Sequence, residues 1–255
     1  MKGIRPFYYS ILFLILVLCQ GNLLAQKWEP LINCSLDTLD VGGKLGAKYQ
    51  PIKNLETSTF EILKCETRSD FGLSFQSAYG VNKFAKNNDF FDDYGQMNLQ
   101  FGVHFRNWQL AYALHVGTIE LNNDMLFEAD SLMQGDKFNH LGQSILIAYS
   151  LNFNRLISVE PYLGISTNKF HTIGMVEGKV SKPITGNVLG AKLYKYFNLK
   201  AHQHAYMGLF LNASYHNLAL DQLNPMLKNH YTNFAFGLVF KGYFKKVFYQ
   251  EFNLN

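Results

Sequence analysis

Ser214 and His216 stand two residues apart in the stretch SYH. In an extended chain that spacing points both side chains the same way. A histidine beside a serine hydroxyl can take its proton and turn it into a nucleophile. Asp221 or Glu160 could be imagined as the acid that orients such a histidine, but nothing in the sequence places either one there. The plainer alternative is a hydrogen-bonded pair in the interior of a fold. HQH, His202 to His204, sets two imidazoles on one face of an extended segment, the beginning of a metal site. No third ligand stands nearby, and solvated turn histidines are the plainer alternative. Two acidic clusters, NNDFFDD (Asn87 to Asp93) and NNDMLFEAD (Asn122 to Asp130), offer carboxylates to calcium. Around them lie Phe84, Phe90, Phe91, Met125, Leu126 and Phe127, which form either a partner-binding surface or loop packing. No phosphate-cradling glycine loop, CxxC, HExxH or GxSxG is present, so no cofactor and no metal is expected.

The elements that must position these residues are strands. Met97, Leu99, Phe101, Val103 and Phe105 interleave with Asn98, Gln100, Gly102 and His104. After Arg106-Asn107 the alternation resumes with Trp108, Leu110, Tyr112, Leu114 and Val116. A period of two means strands, and the two-residue gap means a hairpin. The same pattern recurs over Phe71–Val81, Ile145–Phe153, Ile157–Ile165, Leu189–Phe197, Ala205–Tyr215 and Phe234–Phe244, which predicts eight strands. Their connections alternate between tight (Arg106-Asn107, Asn154-Arg155, Asn198 to Gln203) and long (Asn82 to Gly95, Asn122 to Gly142, Lys169 to Gly186, Leu218 to Thr232).

A soluble sandwich has no reason to sort its loops by parity, whereas a membrane barrel has short turns at one rim and long loops at the other. The apolar residues nearest the tight turns are Phe71, Phe105, Trp108, Phe153, Phe197 and Phe244, an aromatic girdle at one level. About 40 outward apolar residues would need a second layer in a soluble protein, and no amphipathic helix supplies one. The expected fold is all-β, an antiparallel up-and-down transmembrane barrel of eight strands; a soluble lipocalin-like or sandwich fold is the alternative. Its lumen would hold Gln96, Asn98, Gln100, His104, Gln109, His115, Asn152 and Asn212, with Arg106, Glu160, Lys192 and Lys241 as a charged network that fills it. A selectivity lining is the sharper alternative, but eight strands enclose a space just filled by side chains.

The amino terminus sets the compartment. Lys2 and Arg5, the apolar run Ser10 to Leu18 and Ala25 in LLAQ predict a signal peptide over residues 1–25. Residues 26–69 are expected as a periplasmic segment or as one more hairpin, drawing on VGGKLGAKYQ and TSTFEILKCE, which would make ten strands; residues 70–255 are the barrel. Cys34 and Cys65 remain after cleavage in an oxidising compartment, which allows a bridge without requiring one. The formal charge of +4 is too small for nucleic-acid binding. The expected site is the outer membrane of a Gram-negative bacterium, as a monomer among outer-membrane lipid and lipopolysaccharide, with or without a protein partner.

The leader ending LLAQ and the strand pattern of residues 70–244 resemble the small outer-membrane β-barrel proteins of the Bacteroidota, the PorT-like and related families. The resemblance is one of pattern, not of a signature motif. It implies location and fold much more than activity. The expected role is non-enzymatic, in binding or assembly through the outer loops or the periplasmic segment, and the resemblance makes a component of a protein export apparatus such as the type IX system an alternative. A second alternative is a lipid A acyl hydrolase, because some outer-membrane deacylases carry a His-x-Ser pair on a barrel strand. Here the order is reversed, and alternation turns Ser214 and His216 inward, away from lipid.

Overall fold

The computed structural model describes residues 32–40, 59–84, 90–127, 130–153, 156–172, 183–197, 204–222 and 227–251. The signal-peptide segment, VGGKLGAKYQ, the Asn154-Arg155 turn and His202 lie outside the described residues. The strands are β1 (Asn33–Asp40), β2 (Thr59–Phe84), β3 (Tyr94–Phe105), β4 (Trp108–Glu120), β5 (Met125–Phe127), β6 (Asp130–Leu132), β7 (Lys137–Tyr149), β8 (Leu151–Asn152), β9 (Ile157–Thr172), β10 (Ile184–Phe197), β11 (Ala205–Leu218) and β12 (His230–Glu251). Eight of them, β2, β3, β4, β7, β9, β10, β11 and β12, pair antiparallel in a closed ring, β2 meeting both β3 and β12. Closure leaves no sheet edge within the ring, the condition for strands in hydrocarbon.

The register fixes the geometry. Gly72 faces His104, then Gln109, Ala148, Tyr162, Gly190, Ser214 and Asn233, and the row returns to β2 at Asn82. One circuit therefore advances by ten residues, Gly72 to Asn82. Eight strands with that stagger tilt by about 40° and enclose an interior that side chains fill.

The outer face is apolar over a defined height. On β2 the outward residues run from Phe71 to Val81, and the next one out is Lys83. On β11 they run from Met207 to Tyr215, and the next is Asn217. Ten residue steps of about 3.3 Å at that tilt span about 25 Å, the height of the band that faces lipid in outer-membrane barrels. Phe71, Phe105, Trp108, Phe153, Phe197 and Phe244 are all exposed at the turn-side rim. Outward rings pair across strands, Phe71 on Phe105 at 5.0 Å and Trp108 on Tyr149 at 4.9 Å. This exterior with a polar interior is a transmembrane barrel, and single-chain barrels of this kind span the outer membrane.

Two strands overrun the band. The first part of β2 pairs with β1 on one side and with Lys245–Glu251 of β12 on the other, making a three-stranded ribbon beyond the turn-side rim. Cys34 and Cys65 are register partners there and are joined by a disulfide. Where β12 leaves the barrel its register with β2 shifts between Tyr243 and Lys245. The strand is interrupted at Ser150, but the register with β9 continues: Leu151 is the partner of the outward Val159, and it is buried there.

Candidate functional site

Glu160 on β9 is the centre of the lumen. Its Oε1 accepts a hydrogen bond from Tyr194 at 2.9 Å and its Oε2 one from Ser150 at 2.8 Å, while Lys241 Nζ lies 3.9 Å away. Lys192 is the cross-strand partner of Glu160 and donates to Gln76 at 3.0 Å and to Gln100. Its ammonium also lies 5.1 Å from the Tyr162 ring centroid. Gln76 in turn donates to the Tyr194 hydroxyl at 3.1 Å. Buried charges are tolerated when paired and hydrogen-bonded, which this web achieves from five strands.

The network is closed above and below. Toward the long loops the inward positions turn apolar: Ile119, Phe138, Phe170, Ile184 and Leu218 pack with Phe91, Leu121 and Leu220 into a plug. Toward the turns, Tyr196 packs on Tyr206, whose hydroxyl accepts from Arg68, and the Arg68 guanidinium lies 4.2 Å from the Tyr243 ring centroid. Between plug and network is a cavity of about 30 Å³, lined by Lys192, His115, Asn212, Ser214 and His216 among others. That is room for a water or two.

Ser214 and His216 face this cavity. Ser214 Oγ and His216 Nε2 share a hydrogen bond of 3.0 Å, and the His216 ring stacks on Tyr231 at 4.5 Å. His216 Nδ1 has no hydrogen-bond partner among the described residues. Asp221 lies exposed in a single 3-10 turn, Leu220–Gln222, and Glu160 is engaged by Tyr194, Ser150 and Lys241. Among the described residues no acid is bonded to the histidine, and the cavity beside the serine, about 30 Å³, is too small for an acyl chain.

Three of the four charged residues assigned to the lumen meet there; Arg106 does not. It occupies the β3–β4 turn with φ of 55° and is exposed, its Nε 3.3 Å from Asp70. Alternation stops at Phe105, so the parity that would turn Arg106 inward no longer applies. Of the HQH motif, His204 is described and its carbonyl accepts from the Tyr243 amide at 2.6 Å. The acidic loops spend their described carboxylates locally: Asp92 accepts from Asn122 at 2.7 Å, Asp124 from the Gln134 amide at 2.7 Å, and Asp93 lies 4.0 Å from Lys83. Among the described residues no group of three ligands could hold a metal ion. Sequence reasoning missed the plug and the Arg68 closure. Parity carries the plug, since Ile119 follows Gln109 at even spacing and Phe138 precedes Ser144 likewise.

No family model matches the chain, and no curated protein matches it. Solved structures do. Neisserial surface protein A (NspA) is 12% identical, covers 69% of this chain and 98% of its own, with a TM-score of 0.42. Ail, the attachment invasion locus protein of Yersinia pestis, in complex with the heparin analogue sucrose octasulfate, is 15% identical over 68% and 99%, with a TM-score of 0.41. The outer membrane protein OprG from Pseudomonas aeruginosa is 13% identical over 71% and 97%, with a TM-score of 0.35. The likeness is one of fold.

Proposed function

We propose that this protein is a non-enzymatic, non-conducting barrel that anchors a binding or assembly surface in the outer membrane, with the periplasmic ribbon as that surface. The observation that carries this is the sealed lumen. Side chains fill the interior, an apolar plug closes one end and the Arg68–Tyr206–Tyr243 group closes the other, so neither passage nor catalysis has a place. Among the described residues, the ribbon of β1, β2 and β12, held by Cys34–Cys65, extends beyond the turn-side rim. On the long-loop side, Phe91 and Leu121 are taken up in the plug. An envelope assembly is the natural setting for such a surface. An export apparatus of the type IX kind is one form of it, suggested by the pattern resemblance to PorT-like barrels.

The test is site-specific photo-crosslinking in cells, followed by purification from solubilised outer membrane. A crosslinker at Val247 on the ribbon is expected to trap one protein in stoichiometric amount, and one at Phe101 on the lipid face none. Absence of any protein adduct at Val247, with normal barrel assembly, contradicts the assembly role.

A further inference from the structure

We propose that the lipid-facing side of β10 and β11 holds a seat for one acyl chain of an anionic outer-leaflet lipid. This rests on the membrane location given above. Ala191 and Ala213 are cross-strand partners, and both are exposed on the outer face. Most outward positions in the band carry Leu, Ile, Val, Phe or Tyr, so two adjoining methyl side chains leave a depression. It measures about 500 Å³ and is walled by Phe234, Phe236, Leu193 and Leu211. The depression is open along the side that faces lipid, so what it can take is a chain lying against the barrel wall.

Its depth selects the occupant. Ala213 lies two residues from Tyr215, and the next outward residue beyond is Asn217. On β12, Phe234 is followed outward by Thr232 and His230. The groove therefore opens just below the polar boundary on the long-loop side, where a lipid of that leaflet begins its chains. At the boundary the His230 ring stacks on Tyr215 at 5.7 Å, and Lys83 is the register partner of Thr232. Lys83 also lies 4.0 Å from Asp93. A lipid phosphate at headgroup level would meet the Lys83 ammonium in place of Asp93.

Native mass spectrometry of the full protein, extracted in mild detergent, tests this. The wild-type barrel is expected to retain one lipid, and A191L and A213L to lose it at least tenfold. V116L, a substitution on another part of the lipid face, is expected to keep it. Delipidated protein should take up dimyristoylphosphatidylglycerol several-fold better than dimyristoylphosphatidylcholine. A wild type without a bound lipid, or a lipid that survives both alanine substitutions, overturns the seat. Equal uptake of the two phospholipids overturns the anionic headgroup. Dimers that disappear in A213L would put a second copy in the groove and overturn it as well. Each variant is checked for the shift in gel mobility on boiling. If the wild type lacks that shift and is soluble, the membrane location itself falls; a folded barrel without lipid removes only the seat.

Discussion

The Glu160 carboxylate of β9 and the Lys241 ammonium of β12 lie 3.9 Å apart across the lumen, 1% and 7% exposed. Glu160→Gln leaves Lys241 and Lys192 inside the barrel with no carboxylate beside them. Removing one partner of a buried pair costs about 3–5 kcal/mol, whereas neutral replacement of both is far less damaging. E160Q is expected to unfold at clearly lower urea concentration than wild type, and E160Q/K241M to recover part of the loss. Equal stability of wild type and E160Q would mean that the pair is not formed.

The lipid face has a depth gradient. Leu110 and Leu238 are outward and lie in the middle of the apolar band, whereas Val81 is the last apolar residue before Lys83. Arginine at Leu110 or Leu238 should lower folding stability in bilayers by about 2–4 kcal/mol, and at Val81 by about 0–1 kcal/mol. Arginine in place of the lumen residue Gln100 should not carry the lipid term. Equal losses at all four positions, measured by urea unfolding from vesicles, would contradict the assigned faces.

Ser214 and His216 share a hydrogen bond inside the barrel, and the proposed role makes them interior partners rather than a hydrolytic pair. Ser214→Ala leaves the buried His216 ring without its serine partner and should lower stability by about 1–3 kcal/mol. Expression of either form should leave the acylation of lipid A unchanged by mass spectrometry. Loss of an acyl chain that depends on Ser214 would restore the hydrolase alternative.

On the ribbon, Lys245 and Glu66 form an ion pair. The Lys245 hydrogen bond holds the Glu66 carboxyl below its ordinary value. A depressed folded-state value means the contribution is present above the unfolded carboxyl pKa and is lost as pH falls through the folded one. Carbon-detected NMR titration should show Glu66 titrating at higher pH in K245Q than in wild type. An unmoved titration would contradict the pairing.

Local alternation carries what is local. The outward girdle from Phe71 to Phe244 and the inward direction of Ser214, His216, Glu160, Lys192 and Lys241 follow from parity alone. Parity ends where strands end, which is why Arg106 in its positive-φ turn escapes it. Partners across the lumen are a different matter. Lys192 reaches Gln76 over a separation of 116 residues, and that meeting depends on the ten-residue stagger, which no single strand encodes. The disulfide was permitted by composition, but the pairing of Cys34 opposite Cys65 is set by the register of β1 on β2.

The sealed lumen is tested most directly by single-channel recording of the refolded full-length barrel in planar bilayers. Insertion verified by the gel shift, with no unitary current at any holding potential, is the expected result. A steady unitary conductance from the folded protein would contradict a lumen closed by the Ile119–Phe138–Phe170 plug and the Arg68–Tyr206–Tyr243 group.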